Sequence, residues 1–468
     1  MKRVSTLTVV LLVAFFSHIV FAENINTSII FPDPNFQAAV QEFMGVGPNG
    51  GFTAAEAAAK TGTFDCSNRG IKEISGLECF TGITDLNCSC NQLTDLDLSK
   101  NIALQILDCR ENQLMRLDIS GNPNLIEVRC GDNHLQELDV STTTALMLLD
   151  CRGNRLVSLD LTGNTALNWL NCHATELPRL DLSACTALTH LLCSGNQLRE
   201  LDLSNNTSLR ELCCDANALT NLDLCKNPAL RYIGCRGNLL AELDVSRNTA
   251  LRFLQCSENR LKTLDVSKNS DLMRLTCRGN RLTALNVSKN AALVALECSH
   301  NSLKSLDLSK NTELNGLWCG SNQLTKLSLP RKTCLQKLLC GVDEITDTSL
   351  MRFLGMRSRF QALNLQIHSP LERIECTDNR LTHLDLSHSD VLEVLNCGAN
   401  RLTVLDVSSN KYLKELRCNG NELRELDLSR NHALGTLLCD DNKLTTLQLS
   451  KKGIVRDISC RNNRLTSL

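Results

Sequence analysis

The sequence predicts a β-rich solenoid with a parallel β-sheet along one face and short strands or turns along the other. The stretch LQILDCRENQLMRLDISGNPN (104–124) recurs through the chain with a period of 21 residues. Each unit has two halves of similar pattern, with apolar residues three and then two apart before a polar turn. A cysteine marks the same place in each unit. Such self-similarity predicts a solenoid, because one unit alone cannot bury its apolar face.

The cysteine ladder gives the clearest register. Its spacing is 21 residues, broken once by a longer step between Cys340 and Cys376. An earlier cysteine, Cys66, lies 22 residues before the first ladder position. The ladder consists of Cys88, Cys109, Cys130, Cys151, Cys172, Cys193, Cys214, Cys235, Cys256, Cys277, Cys298, Cys319, Cys340, Cys376, Cys397, Cys418, Cys439 and Cys460.

The repeats resemble bacterial leucine-rich repeats of the nested 21-residue type sometimes called IRREKO. The resemblance covers residues 64–468 and implies a leucine-rich-repeat solenoid of about 19 coils, which by convention belongs to the α/β class. Residues 23–63 resemble the N-terminal cap segments of internalin-like surface proteins. The resemblance implies protein recognition, adhesion, or a scaffold or adaptor role. It implies neither a cofactor nor a catalytic residue.

The N-terminal 22 residues have the pattern of a secretory signal. Lys2 and Arg3 precede an apolar run, and Val20-Phe21-Ala22 fits a cleavage site. We expect cleavage after Ala22 and a secreted, periplasmic or cell-surface protein; the alternative is an uncleaved anchor. No second apolar stretch of about 20 residues follows, so no membrane span is expected after signal removal.

Residues 23–63 predict a small helical cap. Phe36, Val40 and Phe43 share one face at helical spacing, and Ala54 to Lys60 reads as a second helix after Thr53. This pair should cover the open end of the first coil. The loop at 45–51 lacks the aspartates of a calcium loop, so no calcium is expected there.

The longer step in the ladder predicts an insertion with a short helix near residues 346–360. Asp347, Thr348 or Ser349 would cap it, with Leu350 and nearby apolar residues turned inward. One interpretation is a tolerated insertion on one side of a coil. The other is a protruding binding element or hinge, because loops also carry function.

The inward columns are predicted to be structural. In-register neighbours have parallel Cα–Cβ bonds, which holds their Cβ atoms too far apart for disulfides, so the ladder should be buried free thiols. A bridge between Cys79 and Cys90 stays open. Asparagine, three residues after each ladder cysteine, should bond the backbone where the chain bends. Members of these structural ladders include Cys109, Cys130, Cys151, Asn112, Asn133 and Asn154, with Thr175 and Asp343 as exceptions among the asparagines.

A third column carries aspartate. Like charges about 4.8 Å apart repel by roughly 1 kcal/mol even in water, so something must offset the repulsion. One explanation is hydrogen bonding from the following serines and turn amides; the other is a row of divalent cations. Asn286 and Ser328 interrupt the column, which favours hydrogen bonds over metal. The members are Asp97, Asp118, Asp139, Asp160, Asp181, Asp202, Asp223, Asp244, Asp265 and Asp307.

Recognition is predicted on the outward strand positions, three residues and one residue before each ladder cysteine. Large apolar and aromatic residues concentrate there, which is typical of a protein-binding patch. The alternative is scatter, since aromatic residues favour strands anyway. The candidate ligand-binding residues are Leu148, Trp169, His190, Leu192, Tyr232, Phe253 and Trp318.

The leading hypothesis is therefore a binding solenoid with a protein ligand. A net charge of -2 gives no electrostatic case for nucleic acid. A mainly structural, self-stacking surface protein is the second hypothesis, with end-to-end association through the last coil left open. An enzyme is the third and weakest, since histidines are scattered and no nucleophile motif or metal-ligand set is present.

Overall fold

A computed structural model describes residues 29–466 except 49, 331, 342–359, 364, 366–369 and 454. They form two compact units, divided between Ser208 and Leu209. The predicted signal segment lies outside the described residues, and so does the predicted helical insertion apart from Phe360. In the part of the chain that the structure describes, no helix combines the length and apolar character needed to cross a membrane.

The first unit begins with two helices, α1 (Pro34–Met44) and α2 (Ala54–Ala59), at the positions where the sequence predicts them. Asp33 starts α1, because its Oδ1 accepts the N–H groups of Asn35 and Phe36 at 2.8 and 3.0 Å. Gly45 ends α1 in the left-handed conformation, with φ 73°. A capping box between Thr53 and Glu56 starts α2.

Aromatic rings join this cap to the first coils. The Phe43 ring stacks on Phe64 with centroids 4.6 Å apart, and it also approaches Phe80 at 6.0 Å. Phe36, fully buried, lies 5.9 Å from Phe64. The cap therefore shields apolar surface that the end of a solenoid would otherwise expose to water.

The rest of the first unit is a parallel sheet of short strands in register, for example with Leu107 opposite Val128. Its strands are β1 (Gly62–Asp65), β2 (Ile83–Asn87), β3 (Ile106–Asp108), β4 (Glu127–Arg129), β5 (Leu148–Asp150), β6 (Trp169–Asn171) and β7 (His190–Leu192). A short 3₁₀ helix at Leu77–Cys79 precedes β2. Each strand has at least one fully buried apolar residue, such as Leu107 in β3, and the residues on either side of Leu107 face outward.

The second unit repeats this architecture. The strands of its main parallel sheet are β8 (Glu211–Cys213), β9 (Tyr232–Gly234), β10 (Phe253–Gln255), β11 (Arg274–Thr276), β12 (Ala295–Glu297), β14 (Gly316–Trp318), β16 (Lys337–Leu339), β18 (Arg373–Glu375), β20 (Val394–Asn396), β21 (Glu415–Arg417), β23 (Thr436–Leu438) and β25 (Asp457–Ser459). The predicted short strands of the other face pair separately, as β13 (Ser305–Asp307) with β15 (Lys326–Ser328), β17 (Ala362–Leu363) with β19 (His383–Leu384), and β22 (Glu425–Asp427) with β24 (Thr446–Gln448).

The core of each unit consists of stacked leucines and ladder cysteines. Ladder cysteines from Cys88 to Cys439 are fully buried, and Cys460 is half-buried. Two residues after the cysteine, the chain bends through a left-handed residue, such as Glu111 with φ 53° or Gly153 with φ 62°. This bend directs the chain away from the sheet, so the next residue, asparagine, can turn its side chain inward.

Candidate functional site

The first-unit patch consists of Leu148, Trp169, His190 and Leu192 on the outward face of β5–β7. Leu148 pairs with Trp169 and Trp169 with His190, so these three side chains form one column across adjacent strands. All four residues are half-buried. The imidazole Nδ1 of His190 lies 2.8 Å from the Thr189 hydroxyl. The predicted residues of this unit therefore lie together on one sheet face.

An ion-pair network that sequence reasoning missed lies on the same unit. Arg152 bonds Asp132 at 3.0 Å and Asp150 at 3.3 Å. Arg110 bonds Asp108 at 2.7 Å and lies 3.9 Å from Asp150. Burial raises the pKa of Asp150, which is 3% exposed, despite the opposing effect of Arg152 and Arg110. Because Asp150 follows Leu148 and Leu149 in β5, this network borders the first-unit patch.

The second-unit pair consists of Tyr232 and Phe253, which lie opposite each other on β9 and β10. Their ring centroids are 6.3 Å apart, and Phe253 is 36% exposed. A Cβ at Gly234 would lie 3.3 Å from Tyr232 Cε1, so the tyrosine ring leans over this glycine. Burial raises the pKa of Tyr232 to about 12, and nearby Cys213, Asp215 and Glu211 act in the same direction.

Trp318 lies apart from that pair. Its strand, β14, is four strands beyond β9, which corresponds to about 19 Å at the usual strand spacing. The indole covers Gly316, where an added Cβ would lie 2.5 Å from Trp318 Cζ3. The ring therefore packs on its own strand, and the structure does not unite Trp318 with Tyr232 and Phe253.

The cysteines are all unbridged among the described residues, including Cys79 and Cys90, for which the sequence left a bridge open. Burial raises the pKa of fully buried ladder thiols such as Cys172, whose pKa rises to about 12. A thiol with so high a pKa is almost entirely protonated at neutral pH and is a poor nucleophile or metal ligand. The ladder cysteines therefore pack as small side chains in the core, as predicted.

The asparagine ladder bonds backbone groups, as predicted. Asn112 Nδ2 donates to the carbonyls of Cys88 and Cys109 at 3.0 and 3.2 Å, while its Oδ1 accepts the Leu93 N–H at 2.9 Å. Each side chain thus joins its own coil to the preceding one. At the exceptional position, the Thr175 hydroxyl donates to the Cys172 carbonyl at 2.8 Å. Asp343 lies outside the described residues.

A second asparagine column, four residues after the aspartates, has an equivalent role that sequence reasoning missed. Asn122 Nδ2 donates to the carbonyls of Leu98 and Asn101 at 3.1 and 2.9 Å. Asn122 itself is fully buried. The recurrence of this asparagine at 21-residue steps, interrupted by Thr143, Cys185 and Ser389, was the signal that could have identified the column.

Hydrogen bonds from the residue two positions later stabilise the carboxylates of the aspartate column. Asp160 Oδ1 accepts the backbone N–H of Thr162 at 3.0 Å and its hydroxyl at 2.8 Å. These bonds lower the pKa of Asp160 despite the opposing charges of Asp139 and Asp181. The hydrogen bonds therefore outweigh the repulsion along the column. No group of three or more histidine, cysteine or acidic side chains in the described ranges is arranged to hold a metal ion.

The chain is similar to solved bacterial leucine-rich-repeat proteins. The solved functional domain of InlJ from Listeria monocytogenes, described as including a cysteine ladder, is 30% identical. The alignment covers 89% of this chain and 75% of that one, with a TM-score of 0.58. The chain belongs to the internalin family. Internalin J of Listeria monocytogenes serotype 4b (strain F2365) is 37% identical over 71 residues, which is 15% of this chain and 8% of the relative.

A wider structural likeness supports the same fold for this internalin-like protein. A leucine-rich-repeat protein of Leptospira interrogans is 21% identical, with a TM-score of 0.61 over 76% of this chain and 90% of its own. No family model matches the chain. Leucine-rich-repeat proteins of this kind are known for protein–protein interaction and are not known enzymes.

Proposed function

We propose that this internalin-like protein is a secreted or cell-surface protein that binds a protein partner through the outward face of its parallel sheets. The observation that carries the proposal is the first-unit patch. Leu148, Trp169 and His190 form a column of half-buried side chains that coil stacking does not require, since Ile106 and Glu127 occupy the same column.

The surroundings of the patch support recognition of a protein. Tryptophan, tyrosine and arginine are enriched among residues that dominate binding energy, and such residues are commonly bordered by polar groups. Here Asp150, one strand from Trp169, pairs with Arg152 at 3.3 Å and lies 3.9 Å from Arg110. The second-unit pair adds a smaller aromatic surface with Phe253 exposed.

The test compares three double variants. Trp169→Ala/Leu192→Ala removes the first-unit patch and Tyr232→Ala/Phe253→Ala the second-unit pair. Met115→Ala/Val157→Ala is the matched control, because these apolar side chains are 73% and 67% exposed at other positions. Proteins captured from an envelope extract by the wild type would be identified, purified and titrated against each variant.

Loss of about 2 kcal/mol of binding per anchor is expected for at least one patch variant, with unchanged affinity for the control. Melting curves on the same samples separate binding from folding. If both patch variants bind as the wild type does, recognition through the sheet face is wrong. If they unfold, the side chains are structural.

A further inference from the structure

A column of side chains lies four residues before each ladder cysteine, just outside the sheet strands. In the second unit its first five members are Arg210, Arg231, Arg252, Met273 and Val294, here called the arginine–apolar column. They lie on consecutive coils. The Arg231 N–H donates to the Arg210 carbonyl at 2.8 Å, and the same bond recurs between each later pair at 2.8 or 2.9 Å.

The three arginines are exposed, and none forms an ion pair with a carboxylate among the described residues. Guanidinium groups on adjacent coils, about 4.8 Å apart at the backbone, repel one another. Coil stacking does not require arginine here, because Thr84, Gln105 and Thr189 occupy the same column in the first unit. Three unneutralised charges in a row therefore favour an anionic partner.

The column changes character after its third member. Met273 and Val294 are 39% and 38% exposed, which is unusual for large apolar side chains on adjacent coils. Next to the arginines, Tyr232 and Phe253 follow Arg231 and Arg252 in the chain and add aromatic surface. The surface thus has a basic part and an apolar part.

We propose that the arginine–apolar column binds an extended segment of the protein partner that carries acidic residues followed by apolar ones. The segment would run along the stacking direction, with carboxylates over the arginines and apolar side chains over Met273 and Val294. This inference rests on the proposed function and names the chemistry of the partner. A long polyanion fits less well, because the basic run ends after three coils and the chain has a net charge of -2.

The dimensions agree with such a segment. Four steps between five coils span about 19 Å, and an extended chain rises about 3.3 Å per residue, so six or seven residues would cover the column. Arginine favours carboxylates because its planar guanidinium donates two parallel hydrogen bonds.

The probe is a fluorescein-labelled peptide, Glu-Glu-Glu-Ser-Leu-Ser-Leu, titrated with the full chain by anisotropy at low ionic strength. Replacing its glutamates by glutamine, or its leucines by serine, gives two control peptides. The key variant is Arg210→Gln/Arg231→Gln/Arg252→Gln. Its charge-matched control is Lys268→Gln/Lys289→Gln/Lys310→Gln, which removes three exposed charges from another column of the same unit.

The arginine variant should bind the probe roughly tenfold more weakly, and the lysine variant should bind as the wild type does. Met273→Ser/Val294→Ser should weaken binding of the probe. It should not weaken binding of the control peptide in which serine replaces leucine. Equal weakening by both triple variants would overturn the proposal, because charge alone would then explain binding. A heparin fragment that binds through the arginines while Met273→Ser/Val294→Ser leaves the probe unaffected would also overturn it, in favour of a polyanion site.

A second measurement separates this inference from the proposed function. The partner captured in the earlier test is titrated against the arginine variant. If the partner still binds the arginine variant but no longer binds the patch variants, the proposed function stands, and the proposal of an acidic segment on the arginine–apolar column is wrong. Loss of partner binding in both the arginine variant and the patch variants supports the proposed function and the acidic-segment proposal together.

Discussion

A buried cysteine suits the ladder position because a thiol is small and weakly polar. Leucine would be larger, and serine would bury a hydroxyl that needs a hydrogen-bond partner. The Cys151 thiol makes one weak hydrogen bond, with its Sγ 3.5 Å from the Asn171 carbonyl oxygen. Packing rather than reactivity therefore explains the column.

Thiol titration of the native protein should divide the cysteines by exposure. Cys90, Cys225 and Cys334 are exposed and should react rapidly. The fully buried ladder thiols, from Cys88 to Cys439, should react only after denaturation, because the reagent cannot reach them. Burial also raises the pKa of such thiols, for example that of Cys397 to about 12. Ellman's reagent under native and denaturing conditions makes the comparison. Recovery of mostly disulfides from unfolded protein would contradict it.

The two tryptophans should differ in their effect on stability. Trp318 covers Gly316, so Trp318→Ala exposes strand backbone and should lower the unfolding free energy by about 1 kcal/mol or more. Trp169→Ala should cost less, because Trp169 has no glycine beneath it on β6. Urea unfolding of both variants tests the difference. Equal losses would mean that the glycine contact has no energetic role.

At the scale of elements, the cap helix α1 depends on one carboxylate with two tasks. Asp33 Oδ1 caps the helix, while its Oδ2 accepts the Lys72 N–H at 2.8 Å. Burial by itself would raise the pKa of Asp33, but the backbone hydrogen bonds, led by that from Lys72, lower it overall. One side chain thus starts α1 and attaches it to the first coils.

Asp33→Ala should lower stability by about 1 to 2 kcal/mol, because it removes the helix cap and leaves the Lys72 N–H without its acceptor. Thermal melts and protease sensitivity of the cap measure the effect. Asp33→Asn is the control, since an amide oxygen can still cap the helix. An alanine variant as stable as the asparagine variant would show that the helix cap makes no net contribution.

The aspartate column should make the solenoid acid-sensitive but not metal-dependent. Hydrogen bonds lower the pKa of members such as Asp118 and Asp160 below the ordinary value of 3.8. Their contribution is therefore complete above that value and is lost as the pH falls through the lower folded-state pKa. The melting temperature should be level near neutrality and should fall below about pH 4.

Two comparisons check this origin of the acid sensitivity. Asp118→Asn/Asp160→Asn should show a smaller acid-induced fall, because amides do not titrate and Asn286 already makes the same turn bond at 3.0 Å. A chelator at neutral pH should leave the melting temperature unchanged. A large fall with chelator would favour the cation row instead.

At the scale of the whole molecule, the stability of a solenoid is approximately the sum of the intrinsic stability of each coil and the interface energy between neighbouring coils. The strand pairs of the main sheets are parallel, and an asparagine such as Asn112 bonds its own coil and the coil before it. Damage in one coil therefore weakens its own interfaces first. Cooperativity along the stack depends on each of these interfaces.

Leu275→Ala, in the middle of the second unit, should lower stability by about 2 to 5 kcal/mol, because Leu275 is fully buried. It should also broaden the urea transition, since the coils on either side lose their coupling. Thr263→Ala, an exposed position in the preceding coil, is the control. A transition that shifts without a change of slope would show that the unit unfolds as one cooperative block.

The sequence by itself determined the architecture. A period of 21 residues fixes which side chains face inward, because each coil must repeat the burial of its neighbour. The helices of the cap, the buried free thiols and the first asparagine ladder followed from spacing, capping residues and backbone hydrogen-bonding needs. These features depend on local pattern, which is why they could be predicted.

Tertiary structure decided how the surface side chains lie. Only the tertiary structure shows that Trp318 lies over Gly316, that Tyr232 leans over Gly234, and that Arg152 joins Asp132 to Asp150. The sequence placed these residues on the outward face but left their exposure undetermined. The physical reason is that the rotamer of an outward side chain depends on which residues lie beside it on neighbouring coils, about 20 residues away in the chain. An inward side chain is instead held by packing against the equivalent residues of the repeat.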